Sequence, residues 1–330
     1  MDKGAGMHFN KGERSELMII KTRVIPPDIN HLEMLLRRIK VNHPVTPQVE
    51  EMLSTKQAGW HGEQSLDFHL DYLKEPHSIL HNLRLHDGHH FFQIDTLILF
   101  PTFILIIESK NMKGQISIHR EKKEMRRDLE GFQDPVEQAE RQRDLLEEWL
   151  LRHMGLTVPV DFLVVFTNRK CTLEFDSFDS RIHEKVIRAT SLVGAIERKK
   201  GFYQEEVLTR VEMMRVGRAL ADAHQELVPD YMKRFNLNYS DLQKGVRCPE
   251  CGKYFMRKTP RRWKCAHCHC TSVNAYELAL KEYAILVSKT MSIREGQDFL
   301  RIGSRHVVYR ILSAYAQSTI GGGRYVRYVL

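Results

Sequence analysis

Apolar and polar positions change period several times along this chain, and each change predicts an element. Leu66, Leu70 and Leu73 recur at helical spacing within residues 62–74, and Glu63, three positions before Leu66, falls on the same inward stripe. An acid in a first helical turn also simply favours the helix dipole. Residues 78–85 read as a strand and Asp87-Gly88 as the turn after it. Phe91–Leu99 and Ile104–Lys110 are apolar runs divided by Phe100-Pro101-Thr102-Phe103, which predicts a hairpin. Residues 116–119 add a strand after Gly114. Asp134 as N-cap, Pro135 at the first helical position and Glu137 in a capping box predict a helix start. Gln138, Gln142, Leu145 and Trp149 form one stripe of that helix. Val160–Phe166 is a continuous apolar run suited to a strand buried on both faces. Alternating strands and helices predict an α/β core with a mixed sheet.

The hairpin carries the candidate chemistry. If Leu99 pairs with Ile104 across a four-residue loop, the register sets Asp95 opposite Glu108 and Gln93 opposite Lys110. Strand side chains alternate, so all four then share one face. Two carboxylates about 5 Å apart destabilise a sheet unless a cation lies between them. Strand-end acids facing water are the plain alternative. Two acids and a lysine at matched register inside apolar strands are less easily read that way, and a metal between the acids is the other reading.

The pairing of an Asp with a downstream Glu-x-Lys resembles the PD-(D/E)xK nuclease superfamily, and more specifically its nuclease-related domain, NERD. Gly62-Glu63, Gln93-Ile94-Asp95, Ile107-Glu108-Ser109-Lys110-Asn111 with Gly114, and Asp134-Pro135-Val136-Glu137-Gln138 follow one another in the family's order within residues 58–170. Met112 stands where the family commonly has an aromatic, a departure that does not touch the chemistry. The resemblance implies a restriction-endonuclease-like mixed sheet flanked by helices, and hydrolysis of phosphodiester bonds. Asp95 and Glu108 are then the Mg²⁺ or Mn²⁺ ligands, with Glu63 completing the carboxylate set. Lys110 positions water or neutralises charge on the phosphate. Gln138, which is otherwise a solvated edge residue, helps orient metal, water or phosphate.

Further along, Cys248-x2-Cys251 and Cys265-x2-Cys268, thirteen residues apart, form two thiolate pairs of the kind that hold structural Zn²⁺ in a ribbon. Cys270, His267 and His269 leave the fourth ligand ambiguous. Arg257, Lys258, Arg261 and Arg262 fall at the ribbon's tip, either as phosphate contacts or as a solvated charge run. Residues 275–287 are helical, Ile293–Leu300 is a short helix, Gly303 marks a turn, and Ser304 caps a helix to about 316. A glycine-tipped hairpin over residues 319–328 follows. Together these resemble a helix-turn-helix of winged-helix type. Val308, Ile311 and Leu312 then face its core. Arg305, His306, Tyr309 and Arg310 are candidates for the DNA groove, and Arg324 and Arg327 for wing contacts. A helical cap that serves packing alone is the alternative.

Composition narrows the picture only modestly. The 330 residues are 42% apolar and 28% charged, with a net charge of +8, which permits a polyanionic partner. No apolar run approaches a membrane span, and residues 1–17 lack a signal-peptide core, so a cytoplasmic location without a membrane is expected. Five of the six cysteines cluster between 248 and 270, which favours metal over disulfides. The chain divides into a helical extension (1–57), nuclease-like core (58–201), helical connector (202–245), zinc ribbon (246–272) and winged-helix-like domain (273–330). The expectation is a Mg²⁺-dependent (endo)deoxyribonuclease with DNA as partner. An RNA-directed enzyme and a non-cleaving DNA-binding or regulatory protein on the same fold are the alternatives, and a homodimer is left open.

Overall fold

The Ile-, Leu-, Val- and Phe-rich runs gather into one six-stranded sheet, because strands apolar on both faces need a covering layer on each side. The computed structural model describes residues 17–74, 76–175 and 180–330. In chain order it begins with β1 (Leu17–Lys21), α1 (Pro27–Arg38), α2 (Thr46–Leu70), β2 (His77–His86), β3 (Phe91–Leu99), β4 (Ile104–Lys110) and β5 (Gly114–His119). Next come β6 (Glu124–Arg127), β7 (Glu130–Gln133), α3 (Pro135–Met154), β8 (Val160–Phe166), β9 (Cys171–Phe175), α4 (Ser180–Lys185), β10 (Val186–Arg188), α5 (Leu192–Phe202) and α6 (Arg210–Ala223). By contacts the chain forms two units: residues up to Ile25 with Gln57–Leu227, and Pro26–Lys56 with Val228–Leu330.

In the first unit the main sheet has the order β1-β2-β3-β4-β8-β10. β2, β3 and β4 are antiparallel, whereas β1 runs parallel to β2, and β4, β8 and β10 run parallel to one another. The architecture is thus α/β with a mixed sheet flanked by helices, as the sequence pattern predicts. Alternation along β4 sends Ile104 and Ile106 into one core with Leu146, Trp149 and Leu150 of α3 and Met213, Val216 and Leu220 of α6. Leu105 and Ile107 enter the opposite core with Leu66 and Leu70 of α2 and Leu192 and Ile196 of α5. A second sheet, β7-β6-β5-β9, lies in the same unit.

Two segments differ from the helical connectors expected over 1–57 and 202–245. Leu17–Lys21 is an edge strand of the main sheet, too short for its period to be diagnostic. α6, from the second segment, contributes Met213, Val216 and Leu220 to the core, so its apolar stripe packs rather than links. α2 also begins at Thr46, which puts Glu63 deep in a helix instead of in a first turn. Asp134 caps α3 through the Val136 amide, but Glu137 turns to Lys123 (2.8 Å) and forms no capping box. No helix among the described residues is long and apolar enough to cross a membrane.

The second unit continues with α7 (Tyr231–Arg234), the ribbon strands β11 (Met256–Lys258), β12 (Trp263–Cys265) and β13 (Thr271–Ser272), and α8 (Ala275–Leu286). It ends with β14 (Thr290–Met291), α9 (Ile293–Leu300), α10 (Arg305–Tyr315), β15 (Ser318–Ile320) and β16 (Arg327–Val329). The last three strands make a sheet of order β14-β16-β15, and Met291 and Tyr328 share a core with Phe299, Leu300, Val308 and Leu312 of α9 and α10. Ser304 caps α10 through the Val307 amide, and Val308, Ile311 and Leu312 are buried. α1 joins this unit through Arg38, whose side chain is fully buried: Nε donates to Glu282 (2.5 Å), and Nη1 donates to the carbonyls of Gln243 and Gly245.

Candidate functional site

β4 is paired on both edges from Ile104 to Ile107 and on the β8 edge alone from Glu108 to Lys110, and the site forms where the β3 edge opens. Its ladder with β3 has the register Leu99↔Ile104 but ends at Thr96↔Ile107, while pairing with β8 continues to Lys110↔Phe166. The expected Gln93–Lys110 pairing is therefore not made: Gln93 pairs with Arg84 of β2 and is exposed. Asp95 lies one step beyond the ladder's end, and its Oδ2 accepts from the Ser109 amide (2.9 Å) and hydroxyl (3.1 Å).

Glu108 is buried beside it. Its Oε1 accepts from Lys110 Nζ (2.7 Å) and Gln138 Nε2 (2.8 Å), and its Oε2 accepts from Gln142 Nε2 (2.8 Å). Lys110 Nζ also donates to Gln138 Oε1 at 2.9 Å. The N-capped start of α3 thus delivers two glutamines, one turn apart, onto the strand that carries the acid and the lysine.

Glu63 comes from α2. That helix passes so close to the end of β4 that a Cβ on Gly62 would lie 2.5 Å from Asn111 Cβ and 2.8 Å from Thr167 Oγ1, so only glycine fits there. Asn111 Nδ2 fixes the approach by donating to the Ala58 carbonyl (2.7 Å). Glu63 Oε2 accepts from Arg23 Nη1 at 2.9 Å. Arg23 is itself nearly buried and reaches Asp67, Thr96 Oγ1 (2.9 Å) and His81 Nδ1 (2.8 Å). Since arginine only donates, His81 Nδ1 is the acceptor. Burial, then the nearby Arg23 and Lys21 charges, lower the His81 pKa to about 3.

The carboxylates carry more negative charge than the site compensates. Burial first, and then the Glu108 charge, raise Glu63 to about 7 against the pull of Arg23. Burial, Glu108 and Glu63 together hold Asp95 well above the ordinary carboxyl range. Asp95, Glu108 and Glu63 are oxygen donors of the class that hard divalent cations take, but among the described residues the cysteine cluster, not these three carboxylates, has its ligand atoms drawn together as a metal group.

Of the residues named from sequence, the structure brings Asp95, Glu108, Lys110 and Gln138 together and sets Glu63 beside them. Arg23, Ser109 and Gln142 join the site without having been singled out by the sequence pattern. Gln142 carries a usable signal, lying one turn after Gln138 on the same stripe; nothing in the sequence around Arg23 signals its place.

In the ribbon, the Sγ atoms of Cys248, Cys251, Cys265 and Cys268 all lie within 4.8 Å of one another. Tetrahedral Zn–S bonds of about 2.3 Å require sulfurs roughly 3.8 Å apart. The Cys248–Cys268 and Cys251–Cys265 separations are 3.6 and 3.7 Å, so the group fits Zn²⁺. Cys270 Sγ is also 3.6 Å from Cys248, while His267 Nε2 is engaged by Lys253 Nζ. Among the described residues the mutually close group is completed by Cys268, with Cys270 beside Cys248. For Cys248, burial raises the pKa, but hydrogen bonds from the Cys251 and Glu250 amides and from Cys268 outweigh it and bring it down to about 6, towards the thiolate that binds metal.

Arg305, His306, Tyr309 and Arg310 are exposed on α10, and Arg261 and Arg262 are exposed at the ribbon tip. Lys258, at the end of β11, is held below the ordinary lysine range by burial and by the nearby Arg310 charge. Arg327 differs from the expected wing contact: it clasps Glu295 (2.9 Å) and Thr290, tying β16 to the start of α9. The side chain of Arg324 lies outside the described residues.

Residues 58–167 match the family described as nuclease-related domain, NERD. No curated protein and no solved structure matches the chain.

Proposed function

We propose that this nuclease-related domain hydrolyses phosphodiester bonds in DNA with a divalent cation, and that the ribbon and winged-helix-like segment target it to nucleic acid. The observation that carries the reading is Lys110 Nζ set 2.7 Å from Glu108 and 2.9 Å from Gln138, beside a Ser109-oriented Asp95.

Asp95 and Glu108 would hold Mg²⁺ or Mn²⁺, with Glu63 as the third carboxylate. Such an ion, when bound, polarises a phosphoryl oxygen and lowers the pKa of attacking water. Lys110 presents its ammonium to the charge that develops on the phosphate, and it is positioned in advance by Glu108 and Gln138. Gln138 and Gln142 fix both oxygens of Glu108, so the carboxylate does not have to be ordered when substrate arrives. Arg23 restrains Glu63 from behind.

Cys248, Cys251, Cys265 and Cys268 would hold a structural Zn²⁺, four thiolates leaving no open position for chemistry. Metal-binding thiols suit a reducing, cytosolic compartment. Arg305, His306, Tyr309 and Arg310, with Arg261 and Arg262, would face DNA. Replacing Arg305 and Arg310 with alanine should weaken duplex binding and flatten its salt dependence. For the reaction itself, Asp95→Asn and Glu108→Gln should each abolish Mg²⁺-dependent cleavage of linear DNA. Cleavage at the parent rate by both would overturn the assignment.

A further inference from the structure

A cleft of about 410 Å³ opens beside the candidate active site, at the carboxyl ends of the parallel strands β4, β8 and β10. Ligands in open α/β sheets bind outside the carboxyl ends of the strands. The cleft is lined by Phe68 and His69 of α2 and by Thr167, Arg169, Arg188 and Thr190 from the segments that follow β8 and end β10. Its lining includes arginine and histidine but neither aspartate nor glutamate.

Thr167 ties the cleft to the site. Its amide donates to the Lys110 carbonyl (3.0 Å), and its Oγ1 lies against Gly62, the residue before Glu63. Phe68, about two turns of α2 from Gly62, is 63% exposed at the mouth and meets Tyr72 of the next turn edge-on, with 5.3 Å between ring centroids. Arg169 is exposed and makes no ion pair among the described residues. An aromatic face, an unpaired guanidinium and hydroxyl groups within one nucleotide-sized volume match a base, a phosphate and a sugar.

We infer that this cleft is a subsite for one unpaired nucleotide of the strand being cut, with its base against Phe68 and its phosphate against Arg169. The inference rests on the nuclease reading for its neighbourhood, but its binding test does not depend on cleavage. A volume of this size takes a single nucleotide and not a duplex, so the substrate class is nucleic acid with a single-stranded segment next to the scissile phosphate.

The test is binding by the full chain, with Ca²⁺ in place of Mg²⁺, to labelled oligo(dT), oligo(U) and a blunt hairpin duplex. Phe68→Ala and Arg169→Ala should each weaken single-strand binding roughly tenfold and leave duplex binding unchanged. Phe68→Trp should retain affinity and report binding by quenched fluorescence. Single-strand affinity equal to the parent in both alanine variants would overturn the subsite, as would a parent that binds neither oligonucleotide. A subsite that meets these expectations for oligo(U) alone stands with RNA as its polymer. If the alanine variants lose single-strand binding while Asp95→Asn cuts like the parent, the subsite stands and the nuclease assignment falls. If active-site variants abolish cleavage while Phe68 and Arg169 prove immaterial to binding, the nuclease assignment stands and the subsite falls.

Discussion

Arg23 Nη1 lies 2.9 Å from Glu63 Oε2, joining a residue outside the family-matched segment to a candidate metal ligand within it. The same guanidinium reaches Asp67, His81 and Thr96, so one side chain from the stretch after β1 holds together α2, β2 and β3. Removing one partner of a buried pair leaves the other charged and undersolvated, typically at about 3–5 kcal/mol. Arg23→Met should lower the unfolding free energy by about that amount, read from the urea midpoint, and Glu63→Gln in the same background should recover part of it. A midpoint equal to the parent would remove Arg23 from this role.

The pH dependence of stability without divalent ions follows from two opposed groups. Glu63, raised from 4.5 to about 7, stabilises the fold below its ordinary value and loses that contribution as pH rises through 7. His81, lowered from 6.5 to about 3, contributes above 6.5 and loses its contribution as pH falls. The two cancel in between, so stability in chelator should decline from about pH 6.5 to about pH 8, by about 1 kcal/mol from Glu63 alone, with Asp95 adding to it. Thermal melts of Glu63→Gln should show a shallower decline. A parent that is flat over this range would contradict the charge surplus.

The ribbon has one more thiol than zinc needs. Cys268 and Cys270 both lie 3.6 Å from Cys248, but the sulfurs that all lie within 4.8 Å of one another are those of Cys248, Cys251, Cys265 and Cys268. Freshly reduced protein should contain one Zn²⁺ per chain, and Cys270→Ser should retain it. Cys248→Ser and Cys268→Ser should lose it in metal analysis. Retention in Cys268→Ser with loss in Cys270→Ser would move the fourth position to Cys270.

Arg38 and Glu282, both fully buried and 2.5 Å apart, fasten α1 to α8. Glu282→Ala should cost about 3–5 kcal/mol, whereas replacing both with apolar residues of similar volume should restore most of the stability. An equal loss in the single and double variants would show that shape, not charge pairing, matters there.

These long-range pairs mark what the sequence does not reveal. The Leu99–Ile104 hairpin, the α3 cap and the both-faces-apolar β8 are local, so period and punctuation disclose them. The end of the hairpin ladder short of Asp95 is not disclosed, because β3 leaves β4 after Ile107 while β8 stays paired to Lys110, and the Asp95–Ser109 contact rather than the ladder bridges the gap. Arg23 and Arg38 find their partners 40 and 244 residues away, and no spacing rule reaches that far. Arg327 reads as a wing contact in the sequence because its pairing with Glu295 is likewise invisible in one dimension.

Whether Asp95, Glu108 and Lys110 form a metal-dependent hydrolytic site is tested most directly by Mg²⁺- and Mn²⁺-dependent cleavage of labelled linear, nicked and single-stranded DNA. The intact chain is compared with Lys110→Ala. The expected result is cleavage by the parent that is lost in Lys110→Ala, with the variant still folded at the assay temperature and its DNA affinity retained. Tight DNA binding without cleavage by either protein would contradict the hydrolytic site and favour a regulatory role on a nuclease fold.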